Sequence, residues 1–437
     1  MEAKGDTVTT NEPSDPNVTQ YKLEKETELR FEIDGKEKVQ IELISGLAEI
    51  FGTELIKGKK YEFFKGTKAA VFTWHGCVVD VTGNCSRIYI DQDTPMKFYA
   101  NVHGGLEVLR NECKENGKRG PFTLIVGPSD TGKATLARIL CNFAIRRDKC
   151  PILIDLNVAS NRIGIPGTIG VNAMERLADL EDKTSPTAPL IFHFGSLSPE
   201  QNVNFYNSLV TRVAEVVEKK VELNKHVRYS GAFINTCNWL AGENGYKSLL
   251  HIAAAFEVDV ILVLDMKSLC YDLTQELPRS VKIIDTPKSS GVVRRNAAYR
   301  DEMREERIRR YFYGSYKSCG PPKFSPYAFN IPFSQLKIYK VSSISTPASC
   351  LPIGMSPRDD QTKLVNITPD PSLNRHILSV SFASDSSEGV KSNLMGFVCV
   401  THVDTKRNFV RVLCPQPGPI PSGSILLYSD IQFQDSD

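Results

Sequence analysis

The sequence lacks several features that would place it in a specialised class of protein. Its 53 Lys and Arg residues nearly balance 51 Asp and Glu residues, and the resulting net charge of +2 gives no global attraction to polyanions. Any contact with nucleic acid must therefore come from a local basic patch. The eleven cysteines are odd in number and never two residues apart, which argues against a disulfide framework and against a zinc site. They are typical of reduced core thiols in an intracellular protein.

The first twenty residues lack an apolar segment. A signal peptide or a membrane anchor needs such a segment, so we expect neither, and we expect no membrane association. The polar composition of residues 1–20 predicts a disordered N-terminus.

The rest of the chain has an ordinary globular composition, with 41% hydrophobic and 24% charged residues among 437. This length suggests about three domains. Short alternating segments separated by turns predict an N-terminal β-sandwich over residues 21–105. Residues 106–319 read as a P-loop kinase-like domain that opens with a helix over 106–120. Short strands return in residues 320–437, which predict a small, mostly β C-terminal domain.

Five apolar runs in the middle of the chain predict strands that are buried on both faces. They are FTLIVG (122–127), CPILIDL (150–156), PLIFHFG (189–195), GAFINTC (231–237) and VDVILVLD (258–265). Helical segments between such runs are the signature of a parallel sheet wrapped by helices. The predicted fold class is therefore α/β, with a central doubly wound parallel sheet flanked by the two β domains.

A phosphate-binding loop follows the first of these runs. Gly127, four further residues, Gly132 and Lys133 have the P-loop spacing, and a helix with apolar residues at i, i+3, i+4 and i+7 follows. Backbone N–H groups, the helix N-terminus and the lysine would hold the phosphates of a nucleotide. The expected nucleotide-binding residues here are Gly127, Asp130, Thr131, Gly132, Lys133, Ala134 and Thr135. The alternative is a glycine turn that merely begins a helix.

Ala134 stands where the motif places a Ser or Thr hydroxyl on Mg²⁺. Thr135 is the nearest hydroxyl and is the candidate metal ligand, but one residue along a helix turns a side chain by about 100°, so it cannot simply replace residue 134. We expect ATP to bind and Mg²⁺ to be held weakly, by water or by another oxygen.

Stretches in all three predicted domains resemble one family, and they keep its order. These are LEKETELRFE, AEIFGTEL, AAVFTWHGC, GPSDTGKAT, IPGTIG, INTCNW, AAAFEVDVILVLD, TPKSSGVV, REERIRRYFYG and SCLPIGM, which run from about residue 22 to the C-terminus. The family is that of Clp-type RNA 5′-hydroxyl kinases, which are also subunits of the pre-mRNA 3′-end cleavage factor and associate with the tRNA-splicing endonuclease. The resemblance implies a nuclear protein with these partners and with RNA as a ligand.

The resemblance also implies roles for particular residues. Glu28 and Lys68 match positions that contact the adenine side of the nucleotide from the N-terminal domain. Without the resemblance, the favoured interpretation of both residues would be a solvated strand face. Residues 287–310 are similar to the family's lid, in which Arg295 and Arg300 match the arginines that close onto the transferring phosphate. A solvated helix with ion pairs between its turns is the alternative for this basic run.

Trp239 matches the indole on which relatives stack an RNA base. A tryptophan buried in the core is an equally good interpretation of the sequence. Asn157 stands where active relatives carry the aspartate that acts as general base, and a neutral amide cannot accept that proton. Asp155 shares a strand face with Asn157 and is the only nearby carboxylate that could substitute.

Other residues also depart from the family's pattern, and they affect the contacts with metal, base and substrate. Ala159 and Ser160 replace a Gly-Gln pair, Leu197 replaces a Thr, and Asn238 replaces a Gly. The resemblance therefore favours a subunit of the pre-mRNA 3′-end cleavage and polyadenylation machinery that binds ATP as a structural ligand and has lost or weak kinase activity. The alternative is an active RNA 5′-hydroxyl kinase in which Asp155 and Thr135 replace the lost groups. A generic P-loop ATPase is a third interpretation, and the lid and INTCNW stretches argue against it.

Overall fold

The computed structural model describes residues 17–35, 37–177, 180, 189–239, 242–314, 324–343, 362–383, 389–418, 420–421 and 423–434. The SCLPIGM stretch and residues 1–16 lie outside these ranges. No helix in the described ranges combines the length and apolarity needed to cross a membrane. The nine cysteines within them are free thiols.

Nine strands form the N-terminal sandwich. In chain order they are β1 (Val18–Leu23), β2 (Thr27–Glu32), β3 (Val39–Gly46), β4 (Glu49–Ile50), β5 (Thr53–Glu54), β6 (Lys60–Phe63), β7 (Lys68–Thr73), β8 (Cys77–Thr82) and β9 (Arg87–Asp91). One sheet has the order β1-β8-β3-β6 and the other β5-β4-β7-β2-β9. Alternation along β3 buries Val39, Ile41 and Leu43 between the sheets. Strand β1 begins at Val18, inside the segment expected to be disordered, because it pairs with β8 along its whole length.

The central domain alternates helices and strands. Its elements are α1 (Met96–Glu115), β10 (Phe122–Val126), α2 (Lys133–Ile145), β11 (Ile152–Asp155), β12 (Thr168–Ala173), β13 (Leu190–His193), α3 (Val203–Leu223), α4 (Lys225–Ser230), β14 (Ala232–Asn235), α5 (Gly242–Ala255), β15 (Val260–Leu264), α6 (Lys267–Glu276), β16 (Lys282–Thr286) and α7 (Ala297–Tyr313). Helix α1 begins at Met96, whereas the sequence predicted a helix from residue 106.

The central sheet has the order β13-β12-β11-β14-β10-β15-β16. Its β11, β14, β10, β15 and β16 are parallel, and β12 lies antiparallel between β11 and β13. Helices α3, α5 and α6 cover one face and α1 and α2 the other, so the sheet is doubly wound as predicted. The apolar runs of the sequence do not predict β12 and β16. Strand β12 follows directly from the loop after β11, without the helix that connects parallel strands.

The C-terminal domain is a single sheet in the described residues. Its strands are β17 (Tyr327–Pro332), β18 (Lys337–Ser343), β19 (Thr362–Asn366), β20 (His376–Ser381), β21 (Leu394–Asp404), β22 (Phe409–Cys414) and β23 (Ile425–Gln432), in the order β17-β22-β21-β20-β23-β18-β19. The runs QLKIYKVSS, HILSVSFA, MGFVCVTHVD, FVRVLCP and SGSILLYSDIQF predict five of these strands, whereas β17 and β19 are not predicted. Ile308 and Phe312 of α7 lie in one core cluster with Phe397 and Leu427, so this domain is fixed to the lid helix.

Candidate functional site

The phosphate loop connects β10 to α2 and has an unusual backbone. Gly127 has a φ of 150°, and a Cβ atom there would lie 2.6 Å from the Leu264 carbonyl oxygen. Gly132 caps α2 with a φ of 89°, a left-handed conformation that favours glycine. These backbone angles turn the chain sharply, so that α2 begins at the loop and directs its free N–H groups into it. The sequence therefore forms the cradle that the spacing predicted.

Lys133 lies at the bottom of this loop and is only 5% exposed. Its Nζ donates hydrogen bonds of 2.7 Å to the carbonyl oxygens of Gly127 and Pro128 and of 2.7 Å to Asn238 Oδ1. Burial lowers the pKa of Lys133 to about 8, although the nearby Cys237 and Asp130 oppose this shift. A buried ammonium with neutral partners is electrostatically unsatisfied, so an anion beside it would be strongly favoured.

A cavity of about 270 Å³ extends from this loop to the N-terminal sandwich. The sandwich, the phosphate loop with α2, and the segment before α7 form its walls. The apolar residues that line it are Phe31, Phe51, Ala69, Ala70, Phe72, Pro95, Met96, Leu136, Ile139, Val292 and Val293. The polar and charged residues include Glu28, Arg30, Glu32, Lys68, Tyr89, Tyr99, Asp130, Thr131, Lys133, Thr135, Asn157, Ser160, Arg162, Asn235, Asn238, Ser289 and Arg295. An apolar slot that ends at a phosphate loop matches the two parts of a nucleotide.

Glu28 and Lys68 both line the sandwich end of the cavity, where the resemblance placed them. Glu28 is buried and pairs with Arg30, which also pairs with Asp91. Burial raises the pKa of Glu28, and the guanidinium of Arg30 opposes this effect. Lys68 Nζ donates a 2.7 Å bond to Glu32 Oε2. The charges at this end are therefore held in fixed ion pairs, in which Arg30 bridges two carboxylates and Lys68 binds a third.

The lid region contacts both other walls. Tyr299 Oη donates a 2.9 Å bond to the Gly66 carbonyl oxygen of the sandwich, and Arg30 Nη1 donates a 2.9 Å bond to Ser290 Oγ. Arg300 donates a 2.6 Å hydrogen bond to Asp130 Oδ2 in the phosphate loop. These contacts close the lid region over the cavity.

The two lid arginines have different positions. Arg295 lines the cavity, and its backbone N–H donates a 3.1 Å bond to Asp130 Oδ2, whereas the Arg300 guanidinium itself pairs with that carboxylate. Burial acts to raise the pKa of Asp130, but the contacts with Arg295 and Arg300 outweigh it and hold the pKa below its ordinary value. The Arg295 guanidinium lies over the Tyr299 ring, 5.4 Å from its centroid, whereas the Arg300 guanidinium is tied to the phosphate loop. Contact of either arginine with a phosphate stays a prediction.

The geometry argues against Asp155 as a substitute base. Its side chain is 3% exposed, and it is absent from the cavity wall. Asp155 accepts hydrogen bonds from the backbone N–H groups of Asn157 and Arg162, at 3.1 and 2.9 Å, and from Asn235 Nδ2, at 2.8 Å. Burial raises the pKa of Asp155 overall, and these contacts oppose the shift. The strand ends at Asp155, so the two-residue alternation that would align it with Asn157 does not continue. Its carboxylate therefore organises the loop after β11.

The residues at the phosphate end do not fit a magnesium site of the P-loop type. Such a site uses the loop Ser or Thr and a carboxylate, and here Ala134 and Asn157 line the cavity instead. The Asn157 amide is engaged with its own loop: Oδ1 accepts from Ala159 N–H at 3.2 Å and Nδ2 donates to Ser160 Oγ at 2.9 Å. Thr135 offers one cavity hydroxyl. Within the described ranges, no group of three or more His, Cys, Asp or Glu side chains could hold a metal ion.

Trp239 and Leu197 lie outside the main cavity. Trp239 is partly buried against the core of the central domain, beside a small cleft lined by Tyr206 and Leu249. Leu197 packs in the cluster that joins the central and C-terminal domains. The substitution at residue 197 therefore changes a packing contact. The indole of Trp239 is half-buried against the core, and its stacking on an RNA base stays a prediction.

Three cavity residues were missed or misjudged from the sequence. Arg30 follows Glu28 by two residues on β2, so the shared strand face was the signal that could have found it. Arg162 lies in the loop after β11, at the carboxyl edge of the sheet where ligands bind in such folds. The sequence shows Asn238 only as a replacement for glycine, whereas in the structure its side chain is a hydrogen-bond partner of Lys133.

Comparison with known proteins adds independent information. Three family models match the chain: the N-terminal β-sandwich domain of polyadenylation factor (residues 22–113), the mRNA cleavage and polyadenylation factor CLP1 P-loop (127–314) and the pre-mRNA cleavage complex II protein Clp1 (324–435). The chain is 46% identical over 419 residues to the human polyribonucleotide 5′-hydroxyl-kinase Clp1, covering 96% of this chain and 97% of that protein. The chicken protein of the same name is 45% identical over 419 residues, with the same coverage.

Solved structures show the same architecture. A complex of wild-type Clp1p with Pcf11p aligns with a TM-score of 0.83 and 25% sequence identity, covering 97% of this chain and 99% of that one. A second structure concerns an extended interface between Pcf11p and Clp1p and ATP loss in a glycine-to-arginine mutant. It aligns with a TM-score of 0.81 and 25% identity, and covers 96% of this chain and 100% of that one.

Proposed function

Since the chain belongs to the Clp1 family of mRNA cleavage and polyadenylation factors, we propose that it is a nuclear subunit of the pre-mRNA 3′-end processing machinery. In this proposal it binds ATP as a structural ligand between the N-terminal sandwich and the central domain, and it transfers phosphate weakly or not at all. Its activity as a subunit would then depend on bound nucleotide and not on turnover.

One observation carries this proposal. The cavity retains a phosphate loop with a buried lysine, but its phosphate end offers no available carboxylate to take a proton from a hydroxyl group. Asn157 replaces that group, and Asp155 is buried and fully engaged in hydrogen bonds. A nucleotide can be held by such a site, whereas general-base catalysis lacks its acceptor.

The chain's own residues suggest what ATP would do there. Lys133 and the N-terminus of α2 would bind the phosphates, while Glu28 and Lys68 would orient the base. The ligand would then contact the sandwich, the phosphate loop and the lid region at once. Ligand binding to the folded state stabilises it by mass action, so ATP would hold the three walls together.

The alternative proposal is an active RNA 5′-hydroxyl kinase, which the name of the 46% identical relatives favours. Thr135 would then hold the metal and Asp155 would have to leave its hydrogen-bonded position. A short 5′-hydroxyl RNA with γ-labelled ATP distinguishes the two proposals. Phosphate transfer at about 1 to 100 per second, the usual range for kinases, would refute the structural role.

The double variant Ala134→Ser/Asn157→Asp tests why activity should be low. It restores a hydroxyl and a carboxylate on the cavity wall, so kinase activity should rise strongly. Each single change should do little, because the base and the metal ligand act in one transition state. A double variant that binds ATP and Mg²⁺ but transfers no phosphate would place the defect elsewhere, for example at Ser160 or Asn238.

The proposed partners follow from the family. Relatives form complexes with Pcf11p, and we propose that this chain binds a subunit of that kind in the cleavage factor. RNA would stack on the accessible part of Trp239, and association with the tRNA-splicing endonuclease belongs to the kinase alternative. Affinity purification of the tagged chain from nuclear extract, followed by mass spectrometry, tests these assignments. Recovery of neither complex, from extract in which the chain is soluble and folded, would contradict them.

A further inference from the structure

The carboxylates that line the nucleotide cavity already have cationic partners. Glu28 pairs with Arg30, Glu32 with Lys68, and Asp130 with Arg300. These are the only acidic residues on the described wall. Of these, only Asp130 lies at the phosphate end, so a divalent cation placed beside the phosphates would have to break its pair with Arg300 or bind without any protein carboxylate. Mg²⁺ prefers oxygen ligands in near-ideal octahedral geometry, and one or two carboxylates usually supply part of the set.

Cationic side chains line the phosphate end of the cavity in addition to the phosphate loop itself. Lys133 lies in the loop, Arg162 lies in the loop after β11, and Arg295 lines the wall with its guanidinium 5.4 Å from the centroid of the Tyr299 ring. Strand β14 lies between β11 and β10, and all three are parallel. The carboxyl ends of these strands therefore bring Arg162 and the phosphate loop to the same edge of the sheet.

We propose that this chain binds ATP without a divalent cation, with Lys133, Arg162 and Arg295 contacting the phosphates. This inference rests on the proposed nucleotide site and says which side chains compensate the negative charge of the phosphates. Guanidinium groups suit this task because their planar donors can bind two phosphate oxygens at once. Ala134 and Asn157 line the same end, where they supply neither a hydroxyl nor a carboxylate to a metal.

The first test is the affinity of the purified full-length protein for ATP in excess MgCl₂ and in EDTA, measured by calorimetry at constant ionic strength. The expected result is a dissociation constant that agrees within about threefold between the two buffers. Binding that is at least about tenfold tighter with Mg²⁺ overturns the inference but leaves the proposed nucleotide site intact. Binding in neither buffer contradicts the proposed site itself, so the two failures are distinguishable.

The second test removes one cation. Arg162→Gln should weaken ATP binding in EDTA about tenfold to a hundredfold, the usual effect of losing a charged hydrogen bond, while adenosine binding stays unchanged. Arg279→Gln is the matched control, because Arg279 is exposed and is not part of the cavity wall. Arg295→Gln is a second variant that keeps the test valid if Arg162→Gln does not fold. Unchanged ATP affinity in both folded variants would refute the role of these arginines.

The third test adds metal ligands to the site. Ala134→Ser/Asn157→Asp supplies the two missing oxygen ligands, so Mg²⁺ should now tighten ATP binding by about tenfold or more, whereas the parent protein shows no such effect. A double variant whose affinity remains independent of Mg²⁺ would show that these two positions do not decide metal use.

Discussion

Raising the pH should weaken nucleotide binding through Lys133. In the ligand-free protein burial lowers the pKa of this side chain from 10.5 to about 8. Phosphate oxygens beside the ammonium would favour its charged form and raise that pKa again. Above pH 8 the free protein has lost the proton that the complex keeps, so binding must take up one proton and affinity must fall with pH.

The size of the fall in ATP affinity follows from the protonation of Lys133 in the free protein and in the complex. If the proton is fully retained in the complex, affinity falls by about tenfold for each pH unit well above 8, and by about twenty-fivefold between pH 7.5 and 9.5. The terminal phosphate is ionised throughout this range, since its last pKa is about 6. Calorimetric titration with ATP at pH 7.5, 8.5 and 9.5, at constant ionic strength and in buffers of different ionisation enthalpy, measures both affinity and proton uptake.

Lys133→Met is the control for this assignment. It should bind ATP weakly, with an affinity that does not change with pH in this window. A wild-type affinity that is independent of pH, or a Lys133→Met variant with the same slope as the wild type, would refute the reasoning.

The same shift changes the stability of the ligand-free protein in the opposite sense. Because the folded-state pKa lies below the unfolded value, the buried charge destabilises the fold fully below pH 8, and this cost is relieved as pH rises toward 10.5. Each pH unit is worth about 1.4 kcal/mol, so the contribution to the unfolding free energy rises by up to about 3 kcal/mol across this window. Urea denaturation of wild type and Lys133→Met at several pH values isolates this term.

Further substitutions test the individual walls of the cavity. Arg30→Leu leaves the buried Glu28 without its guanidinium partner, so the unfolding free energy in urea at pH 7.5 should fall by about 3 to 5 kcal/mol; a loss below about 1 kcal/mol would mean that the pair is dispensable. Asn238→Gly removes one of three hydrogen-bond acceptors from Lys133, so calorimetry should show tighter ATP binding, and weaker binding would show that Asn238 contacts the ligand instead. Gly127→Ala places a Cβ against the Leu264 carbonyl oxygen, so ATP binding should be lost while far-UV circular dichroism stays native; normal binding would show that the loop can relax.

The sequence by itself determined the features that depend on local pattern. Runs such as FTLIVG and GAFINTC predicted buried strands because apolar residues on both faces need helices on both sides. The glycine spacing predicted the phosphate loop because glycine readily adopts the positive φ angles found at Gly127 and Gly132. Strands β12, β16, β17 and β19 were missed because their short segments carry weak local signals, and in the described part of the chain β17 in addition pairs only with the distant β22.

Tertiary structure decided what each polar residue does. Asp155 and Asn157 are two residues apart and looked interchangeable, but β11 ends between them, so one is buried in a hydrogen-bond network and the other lines the cavity. Arg300 and Arg295 looked equivalent until their contacts with Asp130 separated them. Distances between residues far apart in the chain are set by packing across the sheet and between domains, and a single sequence does not encode them in any local pattern.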